Sequence, residues 1–342
     1  MKKQILILVF LVLAVFAGVN KSYGQCTAGP LAPAAGVEYD YEVAVSGGTA
    51  TVAIYNWFVT QNVNVLTGFG APITPGTDFA VVTATGFSLY NTAVATNTTS
   101  KIRLNWTSAA IANGAAYYVA VKYTETGSAG CTVENMKVWQ VKPINTFFLA
   151  IKGSDLSGDI SKNNTCPPDI DGAVITPSAT APKIAYTYGQ TIISYKVIAS
   201  GVNGTWTPSL QLPAPVGATT TLQNYNTAEW SVDGSTNWHA FSLTDGDIAG
   251  GNYTSATTTA PVTVAGSTIY IRVKIDNVNF ESLASQAILA GIDGTLPGGV
   301  KDIVGGGTCT DEVDYGKTGT YTINARPTVG PTTTGAFITK AP

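Results

Sequence analysis

The sequence predicts an all-β protein built from antiparallel β-sandwiches. Short stretches that alternate apolar and polar residues recur at intervals of about 8–15 residues, and clusters of glycine, proline and asparagine separate them. No stretch shows convincingly the apolar period of about 3.6 residues that marks an amphipathic helix. The chain has 342 residues, which is enough for two or three domains of ordinary size.

The first half of the chain contains six predicted strands. Residues 39–45 alternate apolar side chains with Asp40 and Glu42, as expected of a strand that buries one face. Trp57, Trp106 and Trp139 each share a strand face with other apolar residues, which favours a place in the core. The remaining predicted strands are 51–59, 79–85, 101–107, 117–124 and 137–142.

The second half contains a similar set with longer connections. An apolar stretch at 147–151 is the first candidate, and 191–199, 205–212, 228–232, 267–275 and 318–325 follow. We interpret residues 276–307 as an insertion, with a short helix at 281–290, and residues 328–342 as a tail rich in threonine, glycine and proline.

Two strands repeat one pattern and organise the chain. Residues 118–122 and 270–274 both read Tyr, then Val or Ile, any residue, Val and Lys. Residues 41–47 resemble 195–201, and Cys131 and Cys309 follow the two patterned strands. The order of these matches predicts tandem domains at 25–144 and 146–327, the second enlarged by insertions.

The first 24 residues have the features of a secretory signal peptide. Lys2 and Lys3 precede an apolar run at 5–19, and Ser22-Tyr23-Gly24 provides small residues for cleavage. The mature chain would begin at Gln25, and no later apolar run reaches membrane-spanning length. We therefore expect an exported protein that has no transmembrane segment after cleavage.

Composition excludes one class of partner and favours disulfide bonds. Only 11% of residues are charged and the formal net charge is −3, which disfavours nucleic acid. The four cysteines form an even set, as expected of an exported chain with disulfides. Zinc is disfavoured because His239 is the only histidine and no Cys-x-x-Cys motif occurs.

The sequence indicates no catalytic residues and no cofactor, so we expect a protein that is not an enzyme. His239 is the only histidine available as a base, and its neighbourhood reads as a turn. A secreted hydrolase with an unrecognised pair of carboxylates is the alternative. Short acidic turns provide weak calcium candidates, although aspartate and glycine are also ordinary turn formers; the residues are Asp169, Asp171, Asp245, Asp247, Asp311 and Asp314.

Aromatic residues of the second half provide a candidate for glycan contact. Trp230 and Trp238 flank the Asp233-Gly234 turn and could present faces on which sugars stack. A functional surface is expected where the two halves differ, at 230–247 and 276–307. The tail at 332–341 could add as a strand to a neighbouring subunit, although a disordered terminus is the simpler interpretation.

The first half resembles the PKD-like or immunoglobulin-like domains of secreted surface proteins from gliding, type IX-secreting bacteria. The resemblance rests on residues 56–59, 102–106, 117–122 and 130–131 and covers roughly 36–143. It implies two tandem immunoglobulin-like sandwiches on the outer surface, or in the medium, of a Gram-negative-type bacterium, with the periplasm as the alternative. It also implies a structural or adhesive role in motility, attachment or filament assembly, with surface proteins or further copies of the chain as partners.

The repeat predicts that disulfides form within each half. Cys26 should pair with Cys131, and Cys166 with Cys309, because each pair brackets one set of matched strands. Peptide mapping of the unreduced protein should therefore recover these two links. A link from Cys26 to Cys166, or from Cys131 to Cys309, would contradict the arrangement in two domains.

Overall fold

The computed structural model confirms an all-β protein with antiparallel sheets. It describes residues 27–46, 50–64, 72–91, 98–127, 130, 132–177, 183–213, 224–247, 252–255, 263–276, 284–304, 312 and 314–327. The predicted signal peptide and the tail at 328–342 lie outside these residues. No helix in the described ranges is long and apolar enough to cross a membrane.

The chain divides into two compact units, and residues from the second half of the chain contribute to both of them. One unit comprises Met1–Phe148, Ala199–Trp206 and Thr295–Val313, and the other comprises Leu149–Ile198, Thr207–Gly294 and Asp314–Pro342. The tandem domains at 25–144 and 146–327 remain a prediction.

The first unit contains two three-stranded sheets. One sheet has the order β1-β4-β3 and the other β2-β5-β6, so that β5 is a central strand. Residues Ser108–Asn113 form a short helix, α1, which ends at Gly114 in the left-handed conformation. The strands are β1 (Glu38–Glu42), β2 (Ala50–Thr60), β3 (Phe79–Val81), β4 (Lys101–Trp106), β5 (Tyr117–Gly127) and β6 (Thr132–Val141).

Aromatic side chains from both sheets form the core of the first sandwich. The Trp106 ring on β4 lies 5.0 Å from the Tyr117 ring on β5 and 5.6 Å from the Phe79 ring on β3. The Trp106 indole N–H donates to the Tyr41 hydroxyl at 3.2 Å, and that hydroxyl donates to the Pro30 carbonyl at 2.6 Å. The two sheets therefore pack face to face, and these buried polar atoms are satisfied.

The strands of the second half form two larger sheets and a separate hairpin. The five-stranded sheet has the order β14-β13-β18-β11-β7, and the larger sheet has the order β15-β16-β12-β19-β21-β8, with β17 beside β12 and β20 beside β19. Strands β9 and β10 pair only with each other among the described strands. The strands are β7 (Phe148–Gly153), β8 (Asn164–Thr165), β9 (Ile170–Thr176), β10 (Lys183–Tyr188), β11 (Gln190–Ser200), β12 (Thr205–Pro213), β13 (Asn224–Ser231), β14 (His239–Phe241), β15 (Leu243–Asp247), β16 (Asn252–Ser255), β17 (Val264–Ala265), β18 (Thr268–Asp276), β19 (Gln286–Leu296), β20 (Val300–Lys301) and β21 (Lys317–Ile323).

Tyr195 joins the two large sheets through their core. It lies on β11, its ring is 6.2 Å from that of Tyr321 on β21, and its hydroxyl donates to the Ile288 carbonyl on β19 at 3.0 Å. Burial raises the pKa of Tyr195 well above its ordinary value, so the hydroxyl keeps its proton. The second unit is therefore also a sandwich.

The predicted helix at 281–290 is wrong where the structure describes it. Residues from Gln286 onward form β19, which alternates exposed residues with the buried Ile288, Ala290 and Ile292. The alanines in this stretch favour a helix by intrinsic propensity, whereas the β-branched isoleucines among the core positions suit a strand, and packing in the sheet decides between them. Residues 286–296 are thus part of the sandwich core and not a surface insertion.

We predict that Tyr195→Phe lowers the free energy of unfolding by roughly 1 kcal/mol, because it removes one buried hydrogen bond and keeps the ring. Urea unfolding of the purified chain measures the change. Tyr186→Phe is the matched control, since this tyrosine is 36% exposed. Equal unfolding midpoints for the two variants would contradict the role assigned to the Tyr195 hydroxyl.

Candidate functional site

An aromatic and charged patch lies on the five-stranded sheet and consists of Glu229, Trp238 and Arg272, here called the Trp238 patch. Glu229 on β13 is directly opposite Arg272 on β18 in the ladder. The Arg272 Nε atom is 2.7 Å from the Glu229 carboxylate, and the guanidinium carbon lies 4.0 Å over the Trp238 ring. The cation thus has an ionic partner and covers one face of the tryptophan.

The turn after β13 positions Trp238. Asp233 accepts backbone N–H groups from Ser235 at 2.9 Å and Thr236 at 2.8 Å, and the hydroxyl of Ser231 at 2.7 Å. The hydroxyl of Thr236 also donates to this carboxylate and is the strongest cause, together with the bonds above, that the pKa of Asp233 lies well below its usual range. The Trp238 indole N–H donates to the Ser235 carbonyl at 3.3 Å, which ties the ring to this turn.

Gly234 is required at the tip of the same turn. Its φ angle is 70°, in the left-handed region that side chains with a Cβ rarely adopt. A Cβ atom at this position would also lie 2.7 Å from the Leu156 carbonyl oxygen. The Asp-Gly pair read in the sequence as a turn therefore has a steric reason as well as a hydrogen-bonding one.

Trp230 does not provide the glycan-stacking face that was predicted for it. Its side chain is only 3% exposed, and the His239 ring lies 4.5 Å from it at an angle of 34°. Strand alternation places Trp230 on the core side of β13, whereas Trp238 follows the turn and is partly exposed. A role in glycan contact is thus left to Trp238 and stays a prediction.

An acidic loop that was not singled out in the sequence lies between β7 and β8. The Asp155 carboxylate accepts the backbone N–H groups of Ser157 and Asp159, both at 2.9 Å, and Asp159 accepts that of Ser161 at 3.0 Å. Hydrogen bonds, first from the Ser157 side chain, lower the pKa of Asp155 to about 2. The Lys162 ammonium lies 3.3 Å from Asp155 and 3.6 Å from Asp159, so this loop carries its own counter-charge.

The predicted calcium residues do not converge where they are described. Asp169 and Asp171 are exposed at the base of the β9–β10 hairpin, and Asp314 is exposed before β21. Within the described ranges, no three histidine, cysteine or acidic side chains form a group that could hold a metal. Asp245 and Asp247 belong to β15, whose side chains are not described, and Asp311 lies outside the described residues, so calcium binding stays a prediction.

The predicted disulfides are also left open. Cys166 is exposed and is the one cysteine among the described residues. Cys26, Cys131 and Cys309 lie outside the described residues. The pairing of Cys26 with Cys131 and of Cys166 with Cys309 therefore remains a prediction.

The first unit contains a groove at the side where its edge strands β1 and β6 lie. The groove has a volume of about 590 Å³ and is lined by residues 42–46 and by side chains of β5 and β6. Trp139 belongs to this lining and stacks on the buried Trp57, with ring centroids 5.7 Å apart and planes 10° apart. The Lys137 ammonium lies 6.0 Å from the Trp139 ring.

The size and chemistry of this groove suit a ligand. Its volume falls within the range of roughly 300–1,000 Å³ that is usual for binding clefts. Glu42, Glu125 and Lys137 contribute charges, while Trp139 and Val121 contribute an apolar surface. The alternation in the sequence predicted that Trp139 lies in the core. The sequence feature that indicated a groove was Lys137, which lies two residues before Trp139 on a strand face that carries both polar and apolar side chains.

We predict that the Asp233 turn stabilises the fold in a pH-dependent manner. Because the folded-state pKa is lowered from 3.8, the stabilisation is present above pH 3.8 and is lost as the pH falls through the folded-state value. Asp233→Asn should lower the urea midpoint at about pH 5 and reduce the further loss on acidification. Asp169→Asn is the control, and identical acid dependence of Asp233→Asn and the unaltered protein would contradict the assignment.

Comparison with known proteins assigns no family. No protein-family model and no curated protein matches the chain. Similar solved structures include the major pilin subunit BcpA of Bacillus cereus, with 9% identity, a TM-score of 0.31, and coverage of 80% of this chain and 69% of the pilin. The full-length major pilin SpaD of Corynebacterium diphtheriae has 11% identity, a TM-score of 0.29, and coverage of 82% and 63%.

A collagen adhesin (CNA) from S. aureus is also similar. It has 10% identity and a TM-score of 0.23, and the match covers 89% of this chain and 94% of the adhesin. With identities and scores this low, the likeness assigns neither a family nor a function to the chain.

Proposed function

We propose that the chain is an exported, non-enzymatic structural or adhesive protein of the bacterial cell surface. The observation that carries this proposal is the length of its antiparallel ladders. Strands β2 and β5 pair from Ala50 and Gly127 to Thr60 and Tyr118, and β11 pairs with β18 from Gln190 to Ile198. Such ladders resist force along the strands because many hydrogen bonds must break together.

Charged side chains reinforce two other ladders, β1–β4 and β13–β18. Arg103 on β4 donates to both oxygens of Asp40 on β1, at 2.6 and 3.1 Å, and lies 4.4 Å over the Phe87 ring. Arg272 and Glu229 make the corresponding tie between β18 and β13. The charges of these pairs hold neighbouring strands together, which is the use expected in a scaffold.

The adhesive contact is assigned to the groove of the first unit. Its wall includes the edge strand β6, which contributes Val133, Asn135 and Lys137 beside Trp139. A segment of another secreted or surface protein would combine edge pairing with contacts to the aromatic floor. We place the chain in an attachment, motility or filament assembly of a type IX-secreting bacterium, where it associates with other surface proteins or with further copies of itself.

The glycan alternative has weaker support from the geometry. Sugar binding needs an open aromatic face, and one face of Trp238 is covered by the Arg272 guanidinium. Trp230, the second residue of that candidate surface, is buried. The effect of Trp238→Ala on surface attachment, measured as described below, distinguishes this alternative from binding in the groove.

We predict that a membrane-impermeant reagent labels the chain on intact cells and that deletion of its gene reduces surface attachment. Lys137→Glu, which reverses a charge beside Trp139 in the groove, should reduce attachment by about tenfold if it costs roughly 1.4 kcal/mol of binding free energy. Lys142→Glu is the matched control, because this exposed lysine does not line the groove.

Two outcomes would contradict this proposal. Labelling that requires permeabilised cells would place the chain inside the outer membrane. Unchanged attachment of the deletion strain would remove the adhesive role. Loss of attachment with Trp238→Ala, together with no effect of Lys137→Glu, would favour the glycan alternative over the groove.

A further inference from the structure

The groove of the first unit opens between the core-facing sides of its two sheets. Val43 packs against the core cluster, Val45 follows two residues later, and both line the groove. Val45 is 43% exposed, and Val133 on the opposite wall is 55% exposed. The apolar faces of the two sheets therefore extend past the buried core into an opening wide enough for a further segment of chain.

The ladder between β5 and β6 orders the side chains along this groove. Directly opposite residues of an antiparallel pair project to the same face of the sheet. Val119 and Val121 are buried in the core, so this is the core-facing side. In order from the core outward, the pairs are Val119 with Trp139, Val121 with Lys137, Tyr123 with Asn135 and Glu125 with Val133.

Opposite charges lie at two levels of this ladder. Lys137 is opposite Val121, and Glu125 lies four residues further along β5. At the usual rise of a strand, the two levels are about 13 Å apart. Glu42 is the other charged residue in the described lining, and the Lys101 ammonium 3.8 Å away partly balances it. The groove therefore has a positive level and a negative level at a known spacing.

Aromatic side chains lie beside both of these charges. The Tyr123 hydroxyl donates a hydrogen bond to the Glu125 carboxylate. This hydrogen bond is the first cause that raises the pKa of Tyr123 to about 12, so the hydroxyl keeps its proton and holds the carboxylate in place. Lys137 is exposed, and its ammonium lies 6.0 Å from the Trp139 ring.

We propose that the groove binds an extended segment of a partner protein in which an acidic and a basic side chain lie four residues apart. The acidic side chain meets Lys137 and the basic one meets Glu125, because four residues of a strand span the distance between the two levels. An even spacing also places both charges on one face of the segment. The alternate positions then face Val43 and Val45 and are apolar.

This inference rests on the proposed role of the groove in adhesion and adds the chemistry of the partner. Charge complementarity at two fixed levels selects a register, whereas apolar contacts alone would tolerate many segments. The occupant is therefore defined by the spacing of its charges and by its alternation.

Two peptides of identical composition test the spacing with the purified mature chain. The first is Thr-Lys-Val-Thr-Val-Glu-Thr, whose charges are four residues apart. The second is Thr-Lys-Val-Glu-Val-Thr-Thr, whose charges are two residues apart. Fluorescence anisotropy of labelled peptides measures their affinities, and we expect the first peptide to bind about tenfold more tightly than the second.

Reversing one charge of the groove tests the assignment of the two levels. Lys137→Glu makes both levels negative, so this variant should bind Thr-Lys-Val-Thr-Val-Lys-Thr about tenfold more tightly than the first peptide. The unaltered chain should show the opposite preference. Lys142→Glu is the matched control and should keep the preference of the unaltered chain, because this exposed lysine does not line the groove.

Three results would overturn the proposal: no binding of any peptide, equal affinity for the two spacings, or an unchanged preference in Lys137→Glu. These results are distinct from a failure of the adhesive role. Selective peptide binding together with normal attachment of the deletion strain would reject that role and support the groove's specificity. Loss of attachment on deletion without peptide selectivity would reject this inference alone.

Discussion

The fold depends on burying one face of a central strand in each sandwich. Strand β5 lies between β2 and β6, and strand β18 lies between β13 and β11. In the shared pattern, Val119 and Val121 of β5 and Ile271 and Val273 of β18 are buried, while the tyrosine and lysine positions are partly exposed. The strands that pair directly with β5 or β18 take their register from it. The alternation of these two strands therefore decides which face of each sheet packs in the core and which faces outward.

Alternation in the sequence predicted most strands but could not assign them to sheets. The match between 41–47 and 195–201 suggested equivalent places, yet β1 lies in the sheet opposite β5, whereas β11 is directly beside β18. Pairing partners depend on long-range contacts that local periodicity does not encode. For the same reason β19 was interpreted as part of an insertion, because its core role depends on the flanking strands.

The candidate sites were predicted less well than the fold, for physical reasons that are visible at individual residues. The Asp233-Gly234 turn was recognised, but the carboxylate of Asp233 is occupied by backbone N–H groups. Trp230 and Trp238 are close in sequence, yet Trp230 is buried and Trp238 is partly exposed. The two can be distinguished only when it is known which face of the sheet packs against the core. The groove beside Trp139 requires two edge strands to lie at the same side of a sandwich, which no single stretch of sequence reveals.

Site-resolved hydrogen exchange under native conditions tests most directly whether the central strands organise the fold. The buried alternation of β5 and β18 requires that their amides open only with global unfolding, and they should be the slowest in their units to exchange. Amides of the edge strand β6 and of the β9–β10 hairpin should exchange faster, through local opening. Exchange in β5 and β18 as rapid as in these edges would contradict the account.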